Sequence, residues 1–173
     1  NNRIIEEVEI EAKKQEESRK KHEIFTKISA RINEGKILSG NEIEWLEENF
    51  MHEILAEYHY QCSKAPTGAW DLAKASKYYR RARKPDKAVE ITEGFSERTY
   101  IDLAADGAVY TTRGGAFRDL LKFSEAKNCA FEAIKLNPNS PHPHLLLGAT
   151  YYQCGDFEKG YEHFERAVDL GVD

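Results

Sequence analysis

Cysteine, proline and long apolar runs are all scarce in this 173-residue chain. The three cysteines, Cys62, Cys129 and Cys154, are odd in number and widely spaced, and no C-x-x-C occurs. That argues against a disulfide framework and against a structural zinc site. Buried small hydrophobes in a reducing, cytoplasmic setting are expected instead. Five prolines and eleven glycines are too few for a collagenous or Pro/Gly-rich disordered chain. The longest nearly apolar stretch, Leu145 to Tyr152, falls far short of the ~20 residues that cross a membrane. Residues Asn1 to Glu11 are polar and acid-rich, unlike a signal peptide. The chain opens on Asn1 rather than Met, so a fragment of a longer protein is expected. No segment alternates apolar and polar residues for long enough to make a sheet. G-x-S-x-G, G-x-G-x-x-G and G-x-x-x-x-G-K-[ST] are all missing.

Charge is abundant. Charged residues make up 32% of the chain, with a net charge of −5 and a pI near 5.8. A chain of that balance is a poor general nucleic-acid binder, although a local basic patch can still act. Glu6 to Glu23 alternates acidic and basic blocks, and Glu9–Lys13, Glu16–Lys20 and Glu17–Lys21 stand in the favourable i,i+4 order. The apolar stripe of Ile4, Ile5, Val8 and Ala12 fades too soon for a coiled coil. Residues 1–35 therefore read as a charged helix or linker, and 36–173 as the folded domain. Asn41 to Glu44 looks like a helix start. Ile43, Leu46, Phe50, Ile54 and Tyr58 follow at helical spacing and predict one long helix, broken at Pro66-Thr67-Gly68. Further helices are predicted over 69–83, 86–94, 107–119, 123–136, 141–154 and 157–170, with Leu46, Phe50, Ile54, Tyr79, Phe117, Ala126, Leu147, Gly148, Tyr151, Phe164 and Ala167 in the core.

Two segments repeat at an offset of 34 residues, Gly107 to Ser140 and Pro141 to Asp173. Gly114 pairs with Gly148, Phe117 with Tyr151, Phe123 with Phe157, Ala126 with Gly160, Ala130 with Phe164, and Ala133 with Ala167. A weaker copy lies 38 residues upstream, with Ala88 on Ala126 and Tyr79 on Phe117. The extra length falls in an irregular connection after Gly94. Small residues let the helices of one repeat approach closely, and large ones fill the gaps between repeats. The period, with Leu147-Gly148-x-x-Tyr151, Gly155-Asp156-Phe157, Phe164 and Ala167, resembles the tetratricopeptide repeat (TPR) family, clearly over 107–171 and weakly over 70–94. The resemblance implies an all-α, right-handed solenoid of stacked antiparallel helix pairs. Arg113 departs from the family pattern, where an apolar residue is usual. It is expected to be buried and paired with Asp106 or Glu132. No capping helix follows the last repeat, so an open apolar end near Tyr151, Phe164 and Val168 is expected, and with it a route to homo-oligomers.

Residues 74–87 hold seven cations against one carboxylate, Asp86, with Tyr78 and Tyr79 among them. Such a run can bind phosphates and stack bases, or merely complement a helix end. Among the histidines, His52-Glu53-Ile54-Leu55-Ala56 fails the H-E-x-x-H pattern, and His142-Pro143-His144 has no local Cys or carboxylate. No metal, cofactor or catalytic residue is assigned, and the chain reads as non-enzymatic. By resemblance, the first helix of each repeat lines a ligand groove. The candidates there are Trp70, Lys77, Arg80, Arg81, Arg118, Tyr152 and Gln153, beside Ala108, Thr111, Gly115, Asp119, His142 and Leu145. The expectation is a protein-interaction scaffold holding an extended, acidic peptide or protein segment, with no membrane partner. The alternatives are a nucleic-acid-contacting accessory domain of a larger enzyme and an oligomerisation module.

Overall fold

A computed structural model describes residues 2–95 and 102–172, with side chains from Glu6 onward. The expected irregular connection after Gly94 and the Ile4 and Ile5 side chains lie outside the described residues. The described residues form nine α-helices and no strand. They divide into two compact units, Asn1–Glu48 and Asn49–Asp173.

The first unit holds α1 (Asn2–Asn33) and α2 (Gly40–Glu48). Glu16 pairs with Arg19 at 2.9 Å and Lys20 at 3.5 Å, and Glu23 with Lys27 at 2.8 Å. Val8 and Ile10 are exposed, so no packed stripe covers that stretch of α1, and the local pairs support residues 16–27. Ile28, Leu38 and Leu46 are buried. The box that starts α2 is Ser39 with Glu42, two residues earlier than the expected Asn41 to Glu44. Ser39 N donates to Glu42 Oε2 at 2.7 Å, and Glu42 N donates back to Ser39 Oγ.

The long helix expected through Phe50 is two helices. Phe50 takes φ 56°, a left-handed conformation, and its side chain is 81% exposed rather than in the core. Helical spacing alone cannot register a single left-handed residue, which ends the helix whatever its hydrophobicity.

The second unit runs α3 (His52–Cys62), α4 (Ala69–Arg81), α5 (Pro85–Ile91), α6 (Leu103–Asp119), α7 (Phe123–Leu136), α8 (His142–Gln153) and α9 (Phe157–Asp169). α4 packs on α5, α6 on α7 and α8 on α9, with α3 also against α4, while the first helices α4, α6 and α8 lie side by side. Three turns repeat the same geometry. Arg83, Leu121 and Gly155 all have positive φ. Each turn closes with a bond five residues back: Lys84 N to Tyr79 O, Lys122 N to Phe117 O, and Asp156 N to Tyr151 O, at 2.8–3.0 Å. Those acceptors are the three aromatic positions that the offsets of 38 and 34 aligned. Of the expected core, Leu46, Tyr79, Ala126, Leu147, Gly148 and Ala167 are buried, while Ile54, Phe117, Tyr151 and Phe164 are half-buried.

Small residues set the spacing. A Cβ on Gly114 would lie 2.6 Å from Leu146 Cδ2 and 3.0 Å from the Ala126 carbonyl. One on Gly148 would lie 2.7 Å from the Phe164 ring. Ala130, Leu146 and Leu147 form the buried cluster joining α7 to α8. The equivalent face of α9 has no such cover among the described residues, and Phe157, Tyr161 and Val168 are each about 60% exposed. The cysteines are free. Cys129 is buried, and burial pushes its thiol up to about 11. Cys62 is half-buried and Cys154 exposed, which corrects the expectation of three buried thiols.

Candidate functional site

The wall made by α4, α6 and α8 is built from what its helices omit. On α6, Ala104, Gly107 and Ala108 present almost no side chain. Opposite them stand Trp70 of α4 and Pro143 of α8, and the space between is a pocket of about 520 Å³. Lys77, Thr111, His142 and the α7–α8 turn residues Asn137 and Ser140 close its edge. Trp70 is 48% exposed, and its Nε1 donates to Asp102 Oδ2 at 3.1 Å. Asp102 is also the N-cap of α6, accepting from Ala104 N and Ala105 N. Those backbone donors, Ala105 first, hold its carboxyl below the usual range. The helix start and the indole orientation are thus fixed by one side chain.

A smaller pocket of about 240 Å³ adjoins the first, sharing Thr111 and His142. It is lined by Arg80, Arg118, Gly115 and Leu145. Gly115 is the seat of the Arg80 guanidinium, since a Cβ there would lie 2.1 Å from Arg80 Nη1. Arg80 reaches across it to Asp119, with Nε to Oδ2 at 2.7 Å and Nη2 to Oδ1 at 3.3 Å. This bidentate pair ties α4 to α6. Arg118 stands 3.8 Å from the same carboxylate, beyond hydrogen-bond distance.

Trp70, Lys77, Arg80 and Arg118 therefore come together with Ala108, Thr111, Gly115, His142 and Leu145. Arg81, Tyr152 and Gln153 line neither pocket. The Arg81 guanidinium sits 5.8 Å from the Tyr78 ring. Tyr152 packs against Phe157 at 5.0 Å and Phe164 at 5.9 Å, at the open α9 end, and Gln153 is exposed at the end of α8. Asn137 and Ser140 were not singled out as site residues. Their only sequence signal is the Asn137-Pro138-Asn139 turn. Three of the seven cations of the basic run are committed to carboxylates: Arg80 to Asp119, Lys84 to Glu53, and Lys87 to Glu90 at 3.1 Å.

Arg113 is half-buried, and its partners are not the expected carboxylates. Nη1 donates to Val89 O at 3.1 Å and to Thr92 Oγ1 at 3.0 Å, at the C-terminal end of α5. The Val89 carbonyl, which also accepts from Thr92 N and Oγ1, and the negative helix end take the place of an anion there. The Phe117 ring lies 5.2 Å from the guanidinium. Two histidine contacts are also structural. Buried His59 meets Asp71 at 2.8 Å, and burial outweighs that carboxylate to keep its pKa low. His144 meets His163, Nδ1 to Nδ1, at 3.1 Å. Among the described residues, no group of three or more His, Cys, Asp or Glu gathers to hold a metal ion. No described helix is long and apolar enough to cross a membrane.

Residues 142–170, the α8–α9 pair, match the family described as tetratricopeptide repeat. The fold is a tetratricopeptide-like helical repeat. A relative, Heat shock protein STI1 of Saccharomyces cerevisiae, is 29% identical over 89 residues, 51% of this chain. The matched stretch spans only 15% of that relative's length. The solved structure MamA MSR-1 C2 superposes with a TM-score of 0.51 at 22% identity, covering 73% of this chain and 71% of its own. That likeness concerns the fold. In that architecture α8–α9 is the matched repeat, and α6–α7 and α4–α5 are the helix pairs that precede it.

Proposed function

We propose that this chain is a protein-interaction scaffold whose α4–α6–α8 wall binds an extended, acidic peptide or protein segment. The observation that carries the reading is the pair of adjoining pockets, which share Thr111 and His142 and are lined by Lys77 and Arg118, with Arg80 held in place by Asp119. The nucleic-acid alternative is less well supported, because Lys84 and Lys87 of the basic run already hold carboxylates. The test is titration of fluorescent acidic and basic decapeptides against the full chain and its Lys77→Glu/Arg118→Glu variant, with helicity checked by circular dichroism. Acidic peptides should bind the parent chain in a salt-sensitive manner and the variant at least tenfold more weakly. Equal binding to both proteins rules this wall out.

The exposed Phe157, Tyr161 and Val168 stripe supports a second contact. In the preceding repeat the equivalent face is covered by α8, the first helix of the next unit. A first helix from a second copy fits that place. Sedimentation velocity at two concentrations tests it, with Val168→Glu expected to shift the chain to monomer.

A further inference from the structure

We propose that the recognised segment carries a two-part determinant: a large aliphatic or aromatic side chain that fills the Trp70 pocket, and a carboxylate two or three residues away that binds Arg118. This deepens the groove reading and rests on it.

The apolar half follows from the pocket's walls. Ala104, Gly107, Ala108, Ala133 and Pro143 leave about 520 Å³ open beside a half-exposed indole, a volume within the range of ligand sites. Asp102 holds Trp70 Nε1, so the ring is fixed before any ligand arrives. A fixed aromatic face lowers the entropy lost on binding. Polar contacts at the rim, from Asn137, Ser140 and Thr111, suit the main chain of a segment that inserts one side chain.

The charged half follows from an unequal sharing of Asp119. Arg80 takes both carboxylate oxygens and lies flat over Gly115, so it is a positioning residue. Arg118 is left at 3.8 Å with its side chain 27% exposed, facing the small pocket. One Asp119 faces two guanidinium groups, so the group keeps a net positive charge, nearest Arg118, for an incoming carboxylate. The separation comes from α6. Ala108 and Gly115 mark the two pockets and lie about 10 Å apart along the helix at ~1.5 Å per residue. An extended segment covers that distance in about three residues.

The experiment uses the full chain with Trp45→Phe, which leaves Trp70 as the sole tryptophan. The probes are Gly/Ser decapeptides in which one Phe stands two, three or six residues from one Glu. Controls lack either residue, and one arm ends in Phe-Gly-Gly with a free or an amidated C-terminus. Peptides with the two- or three-residue spacing should change Trp70 emission and bind at least tenfold tighter than the six-residue spacing or either control. Ala108→Leu and, at an exposed position, Ala104→Leu should each remove the Phe dependence. Arg118→Gln should remove the Glu dependence, and Arg118→Lys should restore part of it. The free-terminus arm distinguishes a terminal from a side-chain carboxylate. Binding that tracks acid content alone, unmoved by either pocket-filling variant, overturns this inference and leaves the groove reading standing. If these peptides and the acidic decapeptides above all fail to bind, both readings fall.

Discussion

Gly114 and Gly115 are adjacent on α6, yet alanine should destabilise the chain at the first and be nearly neutral at the second. In a helix interior the Gly→Ala change itself stabilises by about 1 kcal/mol at either position. At Gly114 the new Cβ meets Leu146 Cδ2 at 2.6 Å, the Ala126 carbonyl at 3.0 Å and Cys129 Cβ at 3.0 Å. One of these is backbone, and the others are buried side chains of α7 and α8. Relief requires α7 to move, and overpacking of this kind costs about 1–3 kcal/mol. The net loss is ~0–2 kcal/mol, at about 2–4 °C per kcal/mol in thermal midpoint for a chain of this size. At Gly115 the clash is with the far end of Arg80, at 2.1 Å from Nη1. A long side chain can swing away. The loss is then its pair with Asp119, whose members are 24% and 31% exposed. Such a pair contributes roughly 0.5–1 kcal/mol, close to what the helix gains. Gly115→Ala should therefore melt within about 2 °C of the parent chain. Circular dichroism melts of the three proteins decide the matter. Equal midpoints for the two variants, or a lower one for Gly115→Ala, would refute the assignment of one glycine to backbone packing and the other to a side-chain seat.

Three further outcomes are expected. Leu121 is exposed and holds φ 60°, where Gly155 stands in the next repeat, so Leu121→Gly should stabilise the chain by ~0.5–1 kcal/mol in a denaturant titration. Arg113→Ala removes the bonds to Val89 O and Thr92 Oγ1 and the packing on Phe117, and should cost about 1–2 kcal/mol by the same measurement. Burial holds both His144 and His163 below their ordinary pKa of 6.5, and the charges of His163 and Arg166 lower His144 further. The native state then binds fewer protons than the unfolded chain, so the pair's stabilisation is complete above about pH 6.5 and is lost as pH falls through the depressed values. Thermal midpoints between about pH 7.5 and pH 5 should fall more steeply for the parent chain than for His163→Phe, and equal slopes would show the pair to be silent.

The sequence by itself determined the repeat. The spacing of Gly114, Phe117, Ala126 and Ala130, copied 34 residues on, dictates which faces of α6 to α9 can approach, because only those positions are small enough or large enough to interlock. The same spacing carried much of the wall, since Trp70, Lys77, Ala108, Thr111, Arg118 and His142 recur at first-helix positions and meet in the two pockets. Tertiary structure decided which cations on that wall are spent. Arg80, Arg81 and Arg118 are alike in sequence, yet Arg80 is clamped to Asp119, 39 residues away, and Arg81 turns toward Tyr78. A side chain chooses its partner by three-dimensional distance, which local periodicity does not encode. The same reason hid the partners of Arg113, because the end of α5 competes with Asp106 and Glu132 only once the helices have packed. Phe50 shows the limit at the backbone level. Its apolar side chain fits the helical stripe, but its left-handed φ ends α2 and leaves the ring in water.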